Sequence, residues 1–178
     1  LHIDISLLYN NEVDIEALKN WRPKEYGNKD FVLENGKLIC DNEVEKMSKR
    51  WHNVVNPDDI CEQYGADTLR LYEMFLGPLE EPKPWNTQGI EGVSRFLKKL
   101  WRLFHNGDDF LVANDKPNEK ELKTLHTLIK KVSSDIERFS FNTSVSAFMV
   151  CVNELNDLKC NKSTILKELL ILISPFAP

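Results

Sequence analysis

The sequence lacks the residue patterns that hold a metal ion or a disulfide framework. Its 178 residues include four cysteines, and no two of them form a CxxC pair. The four histidines are scattered along the chain, so no metal-ligand spacing appears. We therefore predict no metal site. We expect reduced thiols of a cytoplasmic protein, packed as small hydrophobic side chains, at Cys40, Cys61, Cys151 and Cys160.

Long apolar runs are also missing. The longest run, residues 169–173, is far shorter than the roughly 20 apolar residues of a membrane-spanning helix, so we expect no membrane association. The first residue is a leucine with no basic signal-peptide start after it, and the last five residues have the composition of a turn. We expect the chain to be a piece of a longer protein.

An excess of positive charge is absent as well. The formal net charge of -5 argues against a general nucleic-acid binder, although local basic stripes can still lie on an acidic protein. With 42% hydrophobic and 29% charged residues, the composition is that of a soluble globular protein. The length suits one medium domain or two small ones.

The sequence does contain a compact basic segment at residues 45–50, Glu-Lys-Met-Ser-Lys-Arg. Its two lysines, Lys46 and Lys49, flank one apolar side chain and one hydroxyl. A helix start follows at Asn56 and Pro57, because asparagine can cap a helix and proline fits the first helical position. We therefore predict that the basic segment is a loop. A loop with mobile positive charge suits an anionic ligand better than a core.

Residues 46–50 resemble the KMSKS signature of the class I aminoacyl-tRNA synthetases, and the sequence after them follows the order of that family. The segments that extend the resemblance are Asn-Val-Val-Asn-Pro at 53–57, Tyr-Gly-Ala-Asp-Thr-Leu-Arg at 64–70, Met-Phe-Leu-Gly-Pro-Leu-Glu at 74–80, Pro-Trp at 84–85, Gly-Ile-Glu-Gly-Val at 89–93 and Phe-Leu-Lys-Lys-Leu-Trp at 96–101. The later segments are similar to bacterial leucyl-tRNA synthetases in particular. The similarity runs from Glu43 to Pro178 with little interruption.

The resemblance implies roles for four residues of the predicted loop. Lys49 matches the second lysine of the signature, which is expected to contact the ATP phosphates, and Lys46 matches the first. Both are therefore candidate catalytic residues, and the candidate ATP-binding residues are Lys46, Met47, Ser48 and Lys49. Met47 is expected to anchor the loop against the domain, and Ser48 is expected to hold its shape by hydrogen bonding.

Two residues depart from the signature. Arg50 stands where the signature ends in serine, so it keeps positive charge but lacks a hydroxyl that could brace the loop. Trp51 replaces a basic or polar residue, and we expect it to pack either on the preceding insert or on the adenine side of the site. His52-Asn53 stands where valyl, isoleucyl and methionyl enzymes usually have Gly-Asn. This difference disfavours those enzymes as relatives.

The activity that the resemblance implies is that of an enzyme with ATP, Mg²⁺, leucine and tRNA(Leu) as its ligands. It would activate leucine with ATP to leucyl-adenylate and transfer the leucyl group to tRNA(Leu). The chain shows no HIGH-type motif, nucleotide-binding βαβ repeat or editing domain, so we expect it to be inactive alone. We also expect the parent to be cytoplasmic and a monomer. The alternative is a non-catalytic helical RNA-binding or interaction module, in which Lys49 would be dispensable.

The predicted fold class is mainly α: a helical bundle of the class I synthetase anticodon-binding type follows a small β-rich insert and the loop. Residues 1–45 are expected to form that insert, of leucine-specific type. An alternating pattern at 1–7 predicts a strand, residues 14–21 predict a short helix, and Asn35-Gly36 predicts a type I′ hairpin turn. An irregular connection with a lone hairpin is the alternative for this segment.

Residues 46–85 are expected to hold the loop and two helices, at 58–64 and 66–76, broken at Gly65. Residues 86–178 contain four apolar stripes at helical spacing, which predict a truncated anticodon-binding-type bundle.

Several single residues of the bundle carry predictions of their own. Asn118 and Glu121 suit a capping box at the second helix, and Asn161 or Ser163 can cap the last helix. The aromatic side chains expected in the core rather than as stacking platforms are Trp85, Trp101 and Phe104.

Two basic stripes on the predicted helices could hold tRNA phosphates by charge without contacting bases. The first stripe, which the resemblance favours, lies at i, i+3, i+4 and i+7 and consists of Arg95, Lys98, Lys99 and Arg102. The second consists of Lys120, Lys123, Lys130, Lys131 and Arg138. An ordinary solvated face is the alternative for both stripes.

Overall fold

The structure is a computed structural model that describes residues 2–41 and 43–178. The chain forms two compact units, Leu1–Asn56 and Pro57–Pro178. The predicted fold class is confirmed, because helices dominate and the sheets have only two short strands each. The predicted division into three parts, with boundaries after residues 45 and 85, differs from these two units and stays a prediction.

The first unit is a small cluster of short elements. Its core residues are Val13, Leu18 and Tyr26. A 3-10 turn, a two-stranded antiparallel sheet and two short helices surround that core: the turn Ile5–Leu7, β1 Leu8–Tyr9, β2 Glu12–Val13, α1 Ile15–Trp21 and α2 Pro23–Tyr26. The predicted helix at 14–21 is confirmed as α1, which Asp14 caps by accepting a hydrogen bond from the backbone nitrogen of Ala17.

The strand predicted at residues 1–7 is wrong for the part that the structure describes, and Leu1 lies outside that part. The Asp4 carboxylate accepts hydrogen bonds from the backbone nitrogen of Ser6 at 3.0 Å and from its hydroxyl at 2.8 Å. This local bonding favours a turn over an extended chain. The alternating apolar pattern therefore ends in a 3-10 turn rather than a strand.

The turn predicted at Asn35-Gly36 is confirmed. Both residues have positive φ, 52° and 80°, as a type I′ turn requires. Glu34 and Lys37 exchange two backbone hydrogen bonds, of 2.8 and 3.0 Å. The segment after the turn returns to the small sheet, where the carbonyl of Leu38 accepts a hydrogen bond from the backbone nitrogen of Val13 at 2.8 Å.

The second unit is a helical bundle in which α6 packs on α7 and α8, and α4 packs on α5 and α7. A short antiparallel hairpin follows the first long helix. The elements are α3 Pro57–Tyr64, α4 Ala66–Phe75, α5 Thr87–Phe104, β3 His105–Asn106, β4 Asp109–Phe110, α6 Glu119–Glu137, α7 Phe141–Asp157 and α8 Ser163–Ile173. Across the described residues, no helix is both long enough and apolar enough for a membrane crossing.

The helix ends agree with the predictions at two positions and contradict them at a third. Gly65 breaks α3 from α4 with a φ of 90°, and Asn118 forms the predicted capping box with Glu121. The predicted cap of α8 is wrong. The Ser163 hydroxyl donates to the Asn114 side chain, and the Asn161 amide donates to the carbonyl of Leu111.

The buried face of α5 differs from the apolar stripe that the sequence predicts there, which consists of Ile90, Val93, Leu97, Leu100, Trp101 and Phe104. Its buried residues are Ile90, Val93, Phe96, Leu100 and Leu103. The prediction that Trp101 is a core residue is therefore wrong: its side chain is 61% exposed and stacks on the His105 ring at 4.0 Å. Phe104 and Trp85 are half-buried.

Candidate functional site

The basic segment lies in a loop, as predicted, because residues 43–56 contain no helix or strand. Within it, the backbone nitrogen of Trp51 donates to the carbonyl of Ser48 at 2.9 Å, which closes a four-residue turn. The backbone nitrogen of Arg50 donates to the Ser48 hydroxyl at 3.3 Å. Lys49 and Arg50 therefore occupy the two central positions of the turn. We call residues 45–53 the basic loop.

The Asn53 side chain closes the basic loop, and the sequence did not predict this role. Its carbonyl oxygen accepts a hydrogen bond from the backbone nitrogen of Ser48 at 2.8 Å. Its amide nitrogen donates to the carbonyl of Lys46 at 3.5 Å. The sequence signals at Asn53 were its place in the segment 53–57 and its match to the asparagine of the Gly-Asn named above. Neither signal indicates which groups the side chain contacts.

The base of the loop packs on the N-terminal residues of the first unit. The Trp51 ring lies 4.0 Å from the His2 ring, and the Arg50 guanidinium lies 4.8 Å from the Trp51 ring centre. His2 also pairs with Glu45, with an N–O distance of 3.0 Å. The expectation that Trp51 packs on the preceding insert therefore agrees with the contact to His2. The one carboxylate of the basic loop is engaged by His2.

His52 joins the loop to the first helices. Its φ is 55°, a left-handed conformation that glycine adopts more easily. The Nε2 atom of His52 bonds to the Arg22 guanidinium, and its ring meets Trp21 edge-on at 5.0 Å. Arg22 also bonds to Glu25 at 2.9 Å, and this hydrogen bond holds the pKa of Glu25 below its usual value. These contacts hold His52 in a backbone conformation that glycine adopts more easily.

Lys46 and Lys49 are exposed, and in the described part of the chain neither ammonium group forms an ion pair. The Met47 side chain is 43% exposed, so it is not buried against the first unit. The structure therefore presents two unpaired cations around a turn whose backbone is held by hydrogen bonds. Such an arrangement can bind the oxygens of a polyphosphate without first breaking an internal ion pair.

The basic residues predicted on α5 do not share one environment. Arg95 lies 3.7 Å from Glu91 in an ion pair, and the Lys99 ammonium donates to the Asn153 side chain on α7 at 2.6 Å. Lys98 and Arg102 are exposed, and among residues 2–41 and 43–178 neither of the two forms an ion pair.

The second basic stripe is divided in the same way. Lys131 and Arg138 both pair with the buried carboxylate of Asp135, at 2.7 and 3.2 Å. Lys120 and Lys123 are exposed. Part of this stripe therefore stabilises the end of α6.

The four cysteines are free thiols. Burial raises the pKa of Cys151 to about 12, so this thiol stays protonated and unreactive at neutral pH. In the described ranges, no group of three or more histidine, cysteine, aspartate or glutamate side chains could hold a metal ion.

Two family models match the chain. A model for tRNA synthetases class I (I, L, M and V) matches residues 27–81, which include the basic loop. A model for the anticodon-binding domain of tRNA ligase matches residues 119–178, which hold α6, α7 and α8. The chain belongs to the class I aminoacyl-tRNA synthetases.

The chain is 63% identical over 179 aligned residues to the leucine–tRNA ligase of Parabacteroides distasonis, and 59% identical to that of Bacteroides thetaiotaomicron. Within the class, the family is therefore that of the bacterial leucine–tRNA ligases. Each alignment covers 100% of this chain and 19% of the relative. The chain thus spans about a fifth of the length of the curated relatives that it matches.

A solved structure is also similar. It is the ternary complex of the Agrobacterium radiobacter K84 agnB2 LeuRS with tRNA and LeuAMS, with a TM-score of 0.62 and 30% sequence identity. The match covers 75% of this chain and 19% of the other.

Proposed function

We propose that this chain is the part of a leucine–tRNA ligase that supplies the ATP-phosphate-binding loop and a tRNA-contacting helical bundle. The parent enzyme activates leucine with ATP to leucyl-adenylate and transfers the leucyl group to tRNA(Leu). The chain alone is inactive, because it spans about a fifth of the length of its relatives and the rest of the ATP and leucine site lies outside it.

The observation that carries this proposal is the pair of exposed ammonium groups, Lys46 and Lys49, on a loop closed by hydrogen bonds. Leucine activation attacks the α-phosphate of ATP and expels pyrophosphate, so negative charge builds on the leaving phosphates. Cations that meet this charge as it develops lower the activation barrier rather than merely tightening ATP binding. Lys49, at the centre of the turn, and Lys46, at its base, have the charge and the exposure for that role.

Mg²⁺ is proposed to enter with ATP rather than on a dedicated protein site. In the described residues no cluster of carboxylate, histidine or thiol groups could hold it, and Mg²⁺ commonly binds through substrate phosphates. The two lysines fit a metal–nucleotide complex, because they add positive charge to phosphates that the ion neutralises only in part.

The bundle is proposed to contact the phosphates of tRNA(Leu) through α5. Lys98 and Arg102 are the members of the first stripe best suited to this, since Arg95 pairs with Glu91 and Lys99 bonds to α7. Contacts of this kind position the RNA and do not select its sequence. The parent is proposed to be a monomeric, cytoplasmic enzyme that does not associate with membranes.

The test of the catalytic assignment replaces Lys49 by alanine in the full-length parent and measures leucine-dependent ATP–pyrophosphate exchange. Loss of a transition-state donor of this type is expected to lower kcat by about 10²- to 10³-fold. Lys29→Ala removes an exposed lysine of the same unit outside the loop and is expected to leave the rate unchanged.

The alternative function, a non-catalytic helical RNA-binding or interaction module, makes the opposite prediction. In that case Lys49→Ala has the same exchange rate as Lys29→Ala. That result would leave the helical bundle as the functional part of the chain.

A further inference from the structure

The Asn53 side chain bonds to the backbone at two points of the segment that carries the lysines. Ser48 offers Asn53 a backbone N–H at 2.8 Å, and Lys46 offers a carbonyl at 3.5 Å. A backbone N–H can only donate, so the oxygen of the Asn53 amide must face Ser48. The amide NH2 group then faces the Lys46 carbonyl, and both hydrogen bonds form with one orientation of the side chain.

These two bonds act together with the turn that follows. The carbonyl of Ser48 accepts from the backbone nitrogen of Trp51 at 2.9 Å. Ser48 is therefore held through its nitrogen by Asn53 and through its carbonyl by Trp51. Lys49 comes directly after this doubly held residue, so the direction in which its side chain leaves the backbone depends on Asn53.

We propose that Asn53 is a positioning residue for the adenylation reaction, acting through the backbone of Lys46 and Ser48 to hold both lysines toward the departing phosphates. This proposal rests on the proposed function. A small misplacement of a charged group from its productive geometry can cost about 10²-fold in rate. An unheld loop must also be ordered during each turnover, which adds to the barrier.

The experiment measures steady-state ATP–pyrophosphate exchange in the full-length leucine–tRNA ligase that contains this chain. The variants are Asn53→Ala, Asn53→Asp, Lys49→Ala and the double variant of Asn53→Ala with Lys49→Ala. Asn28→Ala, at an exposed asparagine of the same unit, is the matched control and is expected to keep the wild-type rate. Melting temperatures of all variants are measured alongside.

Asn53→Ala is expected to lower kcat by about 10- to 100-fold, with a smaller change in KM for ATP. Asn53→Asp keeps an acceptor for the Ser48 N–H but cannot donate to the Lys46 carbonyl. Its kcat is therefore expected to fall by at least about threefold. If Asn53 acts through Lys49, the double variant is no more than about twofold slower than Lys49→Ala alone, because residues that act as a unit are not additive.

Two results overturn the proposal. One is wild-type kcat in Asn53→Ala. The other is a double variant whose loss is the product of the two single losses, which shows a role independent of Lys49. If Asn53→Ala does not fold, wild-type kcat in Asn53→Asp overturns the proposal instead. A wild-type rate in Lys49→Ala contradicts the proposed function itself, so the two failures are distinguishable.

Discussion

Single uncharged or aromatic side chains give the basic loop its shape. Asn53 holds the loop at two backbone points, and Ser48 hydrogen-bonds to the backbone of Arg50 through its hydroxyl. Trp51 and His52 attach the end of the loop to the first unit. The two lysines carry the charge, whereas their neighbours determine where that charge lies.

The His52 side chain allows a direct test at this scale. Replacing His52 by glycine relieves the left-handed backbone but removes the contacts to Arg22 and Trp21. These two effects oppose each other in global stability, so we expect the change to show locally. Hydrogen exchange at the backbone amides of Ser48 and Trp51 is expected to become about fivefold faster. This factor corresponds to a decrease of about 1 kcal/mol in the free energy of local opening.

His52→Asn is the matched control for the backbone, because asparagine tolerates positive φ and lacks the imidazole ring. It is expected to accelerate exchange at the same amides to a similar degree. Unchanged protection in both variants would mean that the ring contacts do not hold the loop.

The sequence predicted Lys46 and Lys49 as site residues because charge and a known signature are visible in the letters alone. It did not predict Asn53 as their support, since a side chain that reaches back seven residues does so only in one backbone conformation. Met47 was expected to anchor the loop against the domain; its side chain is 43% exposed here, and its role stays a prediction. An apolar residue in a motif does not by itself reveal whether a partner surface lies beside it.

At the scale of elements, the junction of α6 and α7 is held by one buried carboxylate. Asp135 accepts from Lys131 at 2.7 Å, from Arg138 at 3.2 Å and from the Thr143 hydroxyl at 2.7 Å. Burial raises the pKa of Asp135, but the hydrogen bonds from Lys131 and Thr143 and the two positive charges outweigh it. The net pKa therefore lies below its usual value.

Asp135→Asn is expected to lower the free energy of unfolding by about 2 kcal/mol at pH 7, because hydrogen bonds to a charged group contribute about that much. The folded-state pKa lies below the unfolded value of about 4, so the contribution is complete above that value. It is lost as pH falls through the lower, folded-state pKa. Urea unfolding at several pH values measures this.

Glu137→Gln changes an exposed acid of the same helix and is the control for Asp135→Asn, with an expected change below about 0.5 kcal/mol. The stability difference between wild type and Asp135→Asn should shrink at acid pH. A difference that stays constant from neutral to acid pH would show that the Asp135 charge is not what stabilises the junction.

The long helices were predictable because apolar residues recur every three or four positions and the capping box at Asn118 is a local pattern. The buried face of α5 was not predictable, because its apolar residues, Trp101 among them, extend over more of the helix circumference than one face. Which face is buried depends on the tertiary packing of α4 and α7 on α5. Short elements such as α2 and the hairpin of β3 and β4 carry too few residues for a periodic signal.

At the scale of the whole molecule, a net charge of -5 and a role in RNA binding are compatible if positive charge is local. Replacing Lys98 and Arg102 together by alanine in the parent enzyme is expected to weaken tRNA(Leu) binding. The slope of log affinity against log salt concentration is expected to fall in magnitude by about two, because each side chain is expected to neutralise one phosphate.

The matched control replaces Lys120 and Lys123 on α6, which removes the same charge from the other stripe. It is expected to leave the salt slope nearly unchanged. The opposite outcome is a reduced salt slope for the α6 variant and an unchanged slope for the α5 variant. That outcome would assign the RNA contact to the second stripe.

The chain spans about a fifth of its relatives, so the central claim is best measured in the complete enzyme. The most direct measurement is rapid-quench formation of leucyl-adenylate at saturating ATP, compared between wild type and Lys49→Ala. If Lys49 stabilises the departing pyrophosphate, the single-turnover rate falls by about 10²- to 10³-fold while the ATP dissociation constant changes much less. An unchanged single-turnover rate would contradict the account.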